Sequence, residues 1–330
     1  MKLTRWIAGK IVTGLIMIWV VASAMFFLLR EMPGNPAEAR YATLILHGMQ
    51  PAQAQRAVAA MYGFVPKQPL PEQYGHYLWQ LLHFNLGVSI AETGIPVSHI
   101  VFSAFPWTVV LCLSGVLASF VAGVALGVAA ALRRATKVGD GITAVGAVIN
   151  GIPTFVIAIS LFFVFTTEWA LFPQGGTVSI LYTPGWNAGY IGSLITHAIL
   201  PVIAYTLTGV GAWMLVTKSS VISVLGDDFI LASELRGIRP LTVARYIVRN
   251  AMLPLFTILA IALGLMFNGA VFIEDVFNYP GLGQLMVNSE TTSDYPVLSG
   301  AFLLIIVAVI AANFLADLAY PVIDPRVRRS

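Results

Sequence analysis

Apolar residues run along this chain in six long stretches, residues 11–29, 104–132, 141–167, 192–216, 251–273 and 297–316, and none contains Asp, Glu, Lys or Arg. A helix rises about 1.5 Å per residue and needs about 20 apolar residues to cross the hydrocarbon of a bilayer. Six membrane-spanning helices are therefore predicted, in an all-α polytopic fold with a long loop after the first. That loop, residues 31–100, carries two predicted short helices. Residues 51–62 have Pro51 at the start and Gly63 as a stop. Residues 74–84 are rich in aromatic side chains suited to a membrane interface. The chain divides into an N-terminal helix (1–30), the loop (31–100) and a five-helix core (101–330).

Within the spans the pattern adds detail. Gly115, Ser119, Gly123 and Gly127 recur every four residues on one helix face. Small residues there let two backbones approach closely, where lipid supplies no hydrophobic drive for association. Pro153 follows Asn150-Gly151 and predicts a kink, because proline removes a backbone donor and clashes with the preceding turn. Asn150 and Pro153 become candidates for lining a passage, together with Asn268, the most central polar residue of the fifth stretch.

The polar segment 217–250 stands apart. Asp227 and Asp228 suit a helix start, and residues 229–236 read as two turns with Phe229, Ile230, Ala232 and Leu235 apolar. Gly237 fits a left-handed stop, and Pro240 blocks continuation. A second helix is predicted over 241–250, carrying Arg245 and Arg249 towards Leu253-Pro254. A short, partly apolar helix needs a partner surface. A protein groove and the lipid headgroups both satisfy that need, and the residues alone leave both open.

Composition agrees with the pattern. The 330 residues are 58% hydrophobic and 10% charged, against about 25% charged in soluble domains. The net charge of +3 forms no continuous basic patch. Placing both termini inside puts 14 of the 18 Lys and Arg residues on the cytoplasmic side, the bias expected of such proteins. Lys2, Arg5 and Lys10 before the first stretch resemble a signal peptide, but 19 apolar residues exceed the usual h-region of about 7 to 15, so a retained span is expected. Cys112 is the single cysteine, which excludes an intrachain disulfide and a cysteine-based zinc site.

Candidate chemistry is sparse. His47, His76, His83 and His99 lie in the first loop at irregular spacing, which favours surface histidines over metal ligands. Glu168, Glu274, Asp275 and Asp317 fall at span ends, leaving no ionisable group mid-span. A stand-alone ion-coupled transporter generally needs one, so the energy for pumping is expected from another protein. A membrane enzyme would need clustered Ser/His/Asp, paired carboxylates or metal ligands, and no Walker-type loop offers ATP binding.

Residues 228–254 read DFILASELRGIRPLTVARYIVRNAMLP. The segment resembles the "EAA" loop of ABC-importer permeases: Ala232, Ser233 and Glu234 occupy or adjoin the small and acidic positions, and Gly237 is the glycine. Ile247 and Leu253-Pro254 complete it, while Leu231 replaces the leading Glu. Further segments are similar to the dipeptide/oligopeptide branch. They are Leu28-Leu29-Arg30 with Pro33-Gly34-Asn35-Pro36, Asn85-Leu86-Gly87-Val88-Ser89, and Gly151-Ile152-Pro153-Thr154-Phe155. Glu274-Asp275-Val276-Phe277, Pro280-Gly281-Leu282-Gly283, Asp294-Tyr295-Pro296-Val297 and Asp324-Pro325-Arg326-Val327-Arg328 continue the series.

The resemblance implies a first permease subunit of a type I importer in a bacterial inner membrane. A second permease would complete the pore, two ATPases would bind ATP and Mg, and an extracytoplasmic binding protein would deliver substrate. This chain would be non-catalytic and carry no cofactor. It also implies that Asp228, Phe229, Ala232, Ser233, Glu234 and Gly237 couple to an ATPase. The implied substrate is a peptide, with a nickel complex or glutathione as alternatives.

Overall fold

A computed structural model describes residues 2–31, 36–63, 68–92, 94–267 and 269–323. Pro33-Gly34-Asn35 and the motif at 324–328 lie outside the described residues, as does Asn268. Among the described residues five helices are long and apolar enough to cross a membrane: α1 (Lys2–Glu31), α5 (Val97–Leu132), α8 (Ala188–Leu225), α10 (Pro240–Gly264) and α13 (Tyr295–Ile323). The predicted third span is a bent pair, α6 (Lys137–Gly151) and α7 (Thr154–Phe162), the latter continued by a π-helical turn at Phe163–Glu168. The predicted kink at Pro153 is thus a 99° break. Three short helices fill the first loop, α2 (Pro36–Leu46), α3 (Pro51–Tyr62) and α4 (Leu70–Leu82), while α9 (Asp228–Leu235), α11 (Ala270–Val276) and α12 (Leu282–Thr291) complete the set.

The chain forms two compact units. The first comprises the described residues of Met1–Trp107 and Pro280–Ile310. Its core joins Ala22 and Phe26 of α1 to Val58 and Tyr62 of α3, Tyr77 of α4 and Leu303 of α13. Burial pushes the Tyr62 and Tyr77 hydroxyls far above their ordinary range, so both rings pack as neutral groups. A second cluster packs Val97 and Val101 of α5 on Leu282 and Met286 of α12 and on Val297 and Ala301 of α13. Buried Asp294 ties the loop to this core. Its carboxylate accepts from the Ser89 hydroxyl at 2.5 Å and from the Ile90 and Ala91 amides at 3.1 and 3.0 Å.

The second unit holds the described residues of Thr108–Tyr279 and Ala311–Ser330. The predicted small-residue face of α5 packs against α8. A Cβ on Gly115 would lie 2.5 Å from the Tyr205 ring, one on Gly123 would lie 2.3 Å from Trp213 Cβ, and one on Gly127 would lie 2.6 Å from the Met214 carbonyl. Gly146 of α6 and Gly211 of α8 bring a third helix equally close, since a Cβ on Gly211 would meet the Gly146 oxygen at 2.5 Å.

The fifth span departs from expectation twice. The helix predicted over 241–250 does not stand alone, because α10 runs through it without interruption to Gly264. Pro254 is tolerated inside α10, as proline often is in spanning helices. The span then breaks between Gly264 and Ala270, with Gly269 in the left-handed region at φ 83°. Backbone groups released by the break have side-chain partners. The Tyr205 hydroxyl donates to the Met266 carbonyl, and the Asn313 amide reaches the Gly264 carbonyl at 3.5 Å.

Replacing Gly123 with Leu forces α5 and α8 apart and is expected to cost at least the 1–3 kcal/mol typical of overpacking. Gly192→Ala, where nothing lies within 4 Å of the new Cβ, is expected to be neutral or mildly stabilising. Thermal unfolding of the two purified variants checks both outcomes. Asp294→Ala strands the Ser89 hydroxyl and two amides, and is expected to open residues 89–97 to protease under conditions where the wild type resists.

Candidate functional site

The segment 228–250 builds its own geometry. In α9, residues 228, 231, 232 and 235 follow the i, i+3, i+4, i+7 spacing and share one face. Asp228, Leu231, Ala232 and Leu235 are all exposed there, Leu235 by 80%. Ile230 points the other way and is only 3% exposed. It packs with Ala131 of α5, Val221 of α8, and Val243, Ile247 and Ala251 of α10. One side chain thus ties a two-turn helix to three spanning helices, and its burial contributes about 1.5–3 kcal/mol. Phe229 flanks the open face at 40% exposure, and the Ser233 hydroxyl turns back to the Phe229 carbonyl at 2.7 Å. The side chain of Glu234 lies outside what is described.

Gly237 ends α9 as predicted, at φ 69°. The Ile238 amide then donates to the Ser233 carbonyl at 3.2 Å, and the Ile238 side chain packs onto the Ile230 cluster. This is the Schellman arrangement, with its hydrophobic contact after the turn. Leu241, Arg245 and Arg249 lie along one open side of α10 at its start.

The pathway candidates fall at the two helix breaks. Asn150 and Pro153 are exposed. Asn150 belongs to the close approach of α6 to α8, where a Cβ on Gly211 would lie 2.9 Å from Asn150 Cβ. A Cβ on Gly269 would lie 3.7 Å from the Thr154 hydroxyl oxygen, so the break in the third span adjoins the break in the fifth. The ring pairs Phe155–Phe272 at 6.3 Å and Phe162–Phe277 at 5.7 Å join α7 to the α11 segment beyond it. Interrupted hydrophobic segments are a recognised pointer to transport sites, but their adjacency required the fold.

Three residues escaped the sequence reading. Leu231 and Leu235 share the exposed face of α9 with Asp228 and Ala232, and their spacing from Asp228 in the sequence already marks that face. Glu274, expected at a span end, is fully buried. Its carboxylate, together with burial as the larger cause, pushes the Tyr279 hydroxyl up to about 12. Among the described residues no group of three or more His, Cys, Asp or Glu side chains is arranged to hold a metal. His47 and His83 are exposed and bond their own helices, to the Thr43 and Trp79 carbonyls at 2.7 and 2.8 Å.

Ile230→Ala is expected to destabilise the packing of α9 on α5, α8 and α10 by about 2–5 kcal/mol. Leu235→Ala, on the open face, is expected to leave stability within about 0.5 kcal/mol of wild type. Comparing the unfolding midpoints of the isolated chain in detergent checks both.

Comparison with known proteins adds the family. Residues 123–329 match the binding-protein-dependent transport system inner membrane component family. A putative peptide permease protein of Brucella suis biovar 1 (strain 1330) is 33% identical over 326 residues, covering 98% of this chain and 99% of the relative. The dipeptide transport system permease protein DppB of Escherichia coli (strain K12) is 29% identical over 322 residues, 92% of each. A probable peptide ABC transporter permease protein of Sinorhizobium fredii (strain NBRC 101917 / NGR234) is 30% identical over 98% of this chain and 99% of its own length. With its helical architecture, its open-faced α9 and these matches, the chain belongs to the inner membrane components of binding-protein-dependent ABC transport systems.

Proposed function

We propose that this permease forms half of a peptide-translocating pore and that α9 is its mechanical input. The observation that carries the reading is the division of α9 into an open face at Asp228, Leu231, Ala232 and Leu235 and an anchor at Ile230. A partner ATPase gripping the open face displaces the anchor, and with it the inner ends of α5, α8 and α10. Phe229, Ser233 and Glu234 flank the grip, and Gly237 sets the angle at which α9 leaves for α10. A second, homologous permease completes the pore, two ATPases hold ATP and Mg, and an extracytoplasmic binding protein delivers substrate. Both termini then lie in the cytoplasm, with residues 31–100 outside and 101–330 as the translocating core.

The translocation path runs past Asn150, Pro153 and Asn268. Support comes from the adjoining breaks in the third and fifth spans, since interrupted helices line cavities and not lipid. Peptide is the substrate class because the relatives carry peptide and dipeptide permease names. Mass spectrometry of the ligand that copurifies with the binding protein tests this. A nickel complex or glutathione in place of peptide would overturn the substrate assignment alone.

The coupling role has its own test. Valine at position 237 has open space for its side chain, but must hold a positive φ, at a cost of about 1–3 kcal/mol for a β-branched residue. Gly237→Val is expected to insert and assemble, yet lose substrate-stimulated ATP hydrolysis in the reconstituted complex. Gly237→Asn, which tolerates the left-handed region, is expected to retain most of it. Normal stimulation in the valine variant would rule the lever out.

A further inference from the structure

Helix α4 is bound to the end of the first apolar span. The helix α1 crosses the bilayer through Ile7–Leu28, and Ser23 lies five residues before that end, about 7 Å inside it. The Tyr74 hydroxyl and the Ser23 hydroxyl share a hydrogen bond of 2.6 Å. Phe26 of α1 stacks near Tyr74 at 5.4 Å and near Tyr77 at 5.3 Å, and Phe27 stacks on Tyr74 at 5.9 Å. One turn of α4, Tyr74 to Tyr77, therefore packs against the last two turns of that apolar run.

The faces of α4 sort themselves accordingly. Gln73 and Tyr77 face the unit's core. Turning around the helix at 100° per residue, Leu81, Tyr74 and Leu78 come next, then Leu82, Gly75 and Trp79 on the side away from the core, followed by Glu72, His83 and His76. Trp79 is 62% exposed and Leu82 74%, so an apolar strip lies beside a polar one, as on helices that rest in an interface. The Trp79 ring packs on the His83 ring at 4.4 Å, joining the two strips.

The end of the helix gives a second, independent sign. The Phe84 amide donates to the Leu81 carbonyl and the Asn85 amide to the Gln80 carbonyl, which is a Schellman close with Phe84 in the position glycine usually takes. Phe84 stands there at φ 56° with 82% of its surface exposed. A bulky residue in that conformation costs about 1 kcal/mol or more, and an exposed ring in water returns nothing for it. Submerged in acyl chains, the same ring offsets the strain by burying its surface.

We infer that Trp79, Leu82 and Phe84 form a lipid-immersed anchor that holds α4 in the leaflet at the C-terminal end of α1. The occupant is the headgroup–acyl boundary of the bilayer, because α4 is held through Tyr74 against the end of α1, where Phe27 and Leu28 are themselves exposed. The loop helices packed on α4 are then fixed in height relative to the bilayer, whatever ligand the transporter carries.

The assembled complex in liposomes tests this. The Trp79 contribution to fluorescence is the difference between wild type and Trp79→Phe. Phosphatidylcholine brominated near the headgroup is expected to quench that contribution more than phosphatidylcholine brominated near the chain ends, and aqueous iodide is expected to quench it little. In parallel, Leu82→Cys combined with Cys112→Ala carries a nitroxide whose relaxation is expected to respond more to oxygen than to a water-soluble nickel chelate. Bromolipid-insensitive Trp79 emission with strong iodide quenching would place the strip in water and overturn the anchor. Emission insensitive to both quenchers, or protected only when the binding protein is added, would assign the strip to a protein partner and overturn it equally.

Discussion

Hydrocarbon offers no hydrogen-bond partner to a peptide group, and the second unit is arranged around that constraint. Two of its spans are interrupted, the third at Gly151–Pro153 and the fifth between Gly264 and Ala270. Each interruption frees carbonyls and amides that continuous helix would have paired. Tyr205 and Asn313 answer for two carbonyls of the fifth span, and Pro153 closes the start of α7 by accepting from the Val156 and Ile157 amides. The glycines of α5, α6 and α8 let these helices approach closely beside the breaks, and Gly115 of α5 packs directly on the Tyr205 ring.

Close packing also explains how a small displacement can matter. Ile230 sits among residues from three spanning helices, and interiors of this density transmit strain because they contain little free volume. A two-turn helix gripped on its open face has one route inward, through that side chain. At the adjoining breaks, ring contacts join α7 to the α11 segment. The proposed input and path would thus be joined by packing without a charged relay, in keeping with spans that carry no central ionisable side chain.

The first unit follows a different economy. Its short helices have too little apolar surface to stand alone, and they gain it by leaning on the end of α1 and on α13. Asp294 fixes the returning loop with one carboxylate and three donors, a charge-assisted cluster that is strong because it is dry.

The long apolar helices, the loop helix at 51–62, the packing face of α5 and the stop at Gly237 were legible in the sequence, because each rests on a local rule: a run length, a helical period or a left-handed glycine. The family itself was legible for the same reason, as ordered short motifs. Tertiary structure decided the rest. It merged the helix at 241–250 into the fifth span, where apolar contacts of Val243 and Ile247 outweigh a polar surface pattern. It turned the kink at Pro153 into a 99° break, since a proline says where a helix weakens and only its neighbours set how far it bends. It also buried Glu274 and placed Thr154 beside Gly269. Contacts between residues more than a hundred positions apart leave no local trace, so the sequence marked the helices while the packing between them decided which residues share a site.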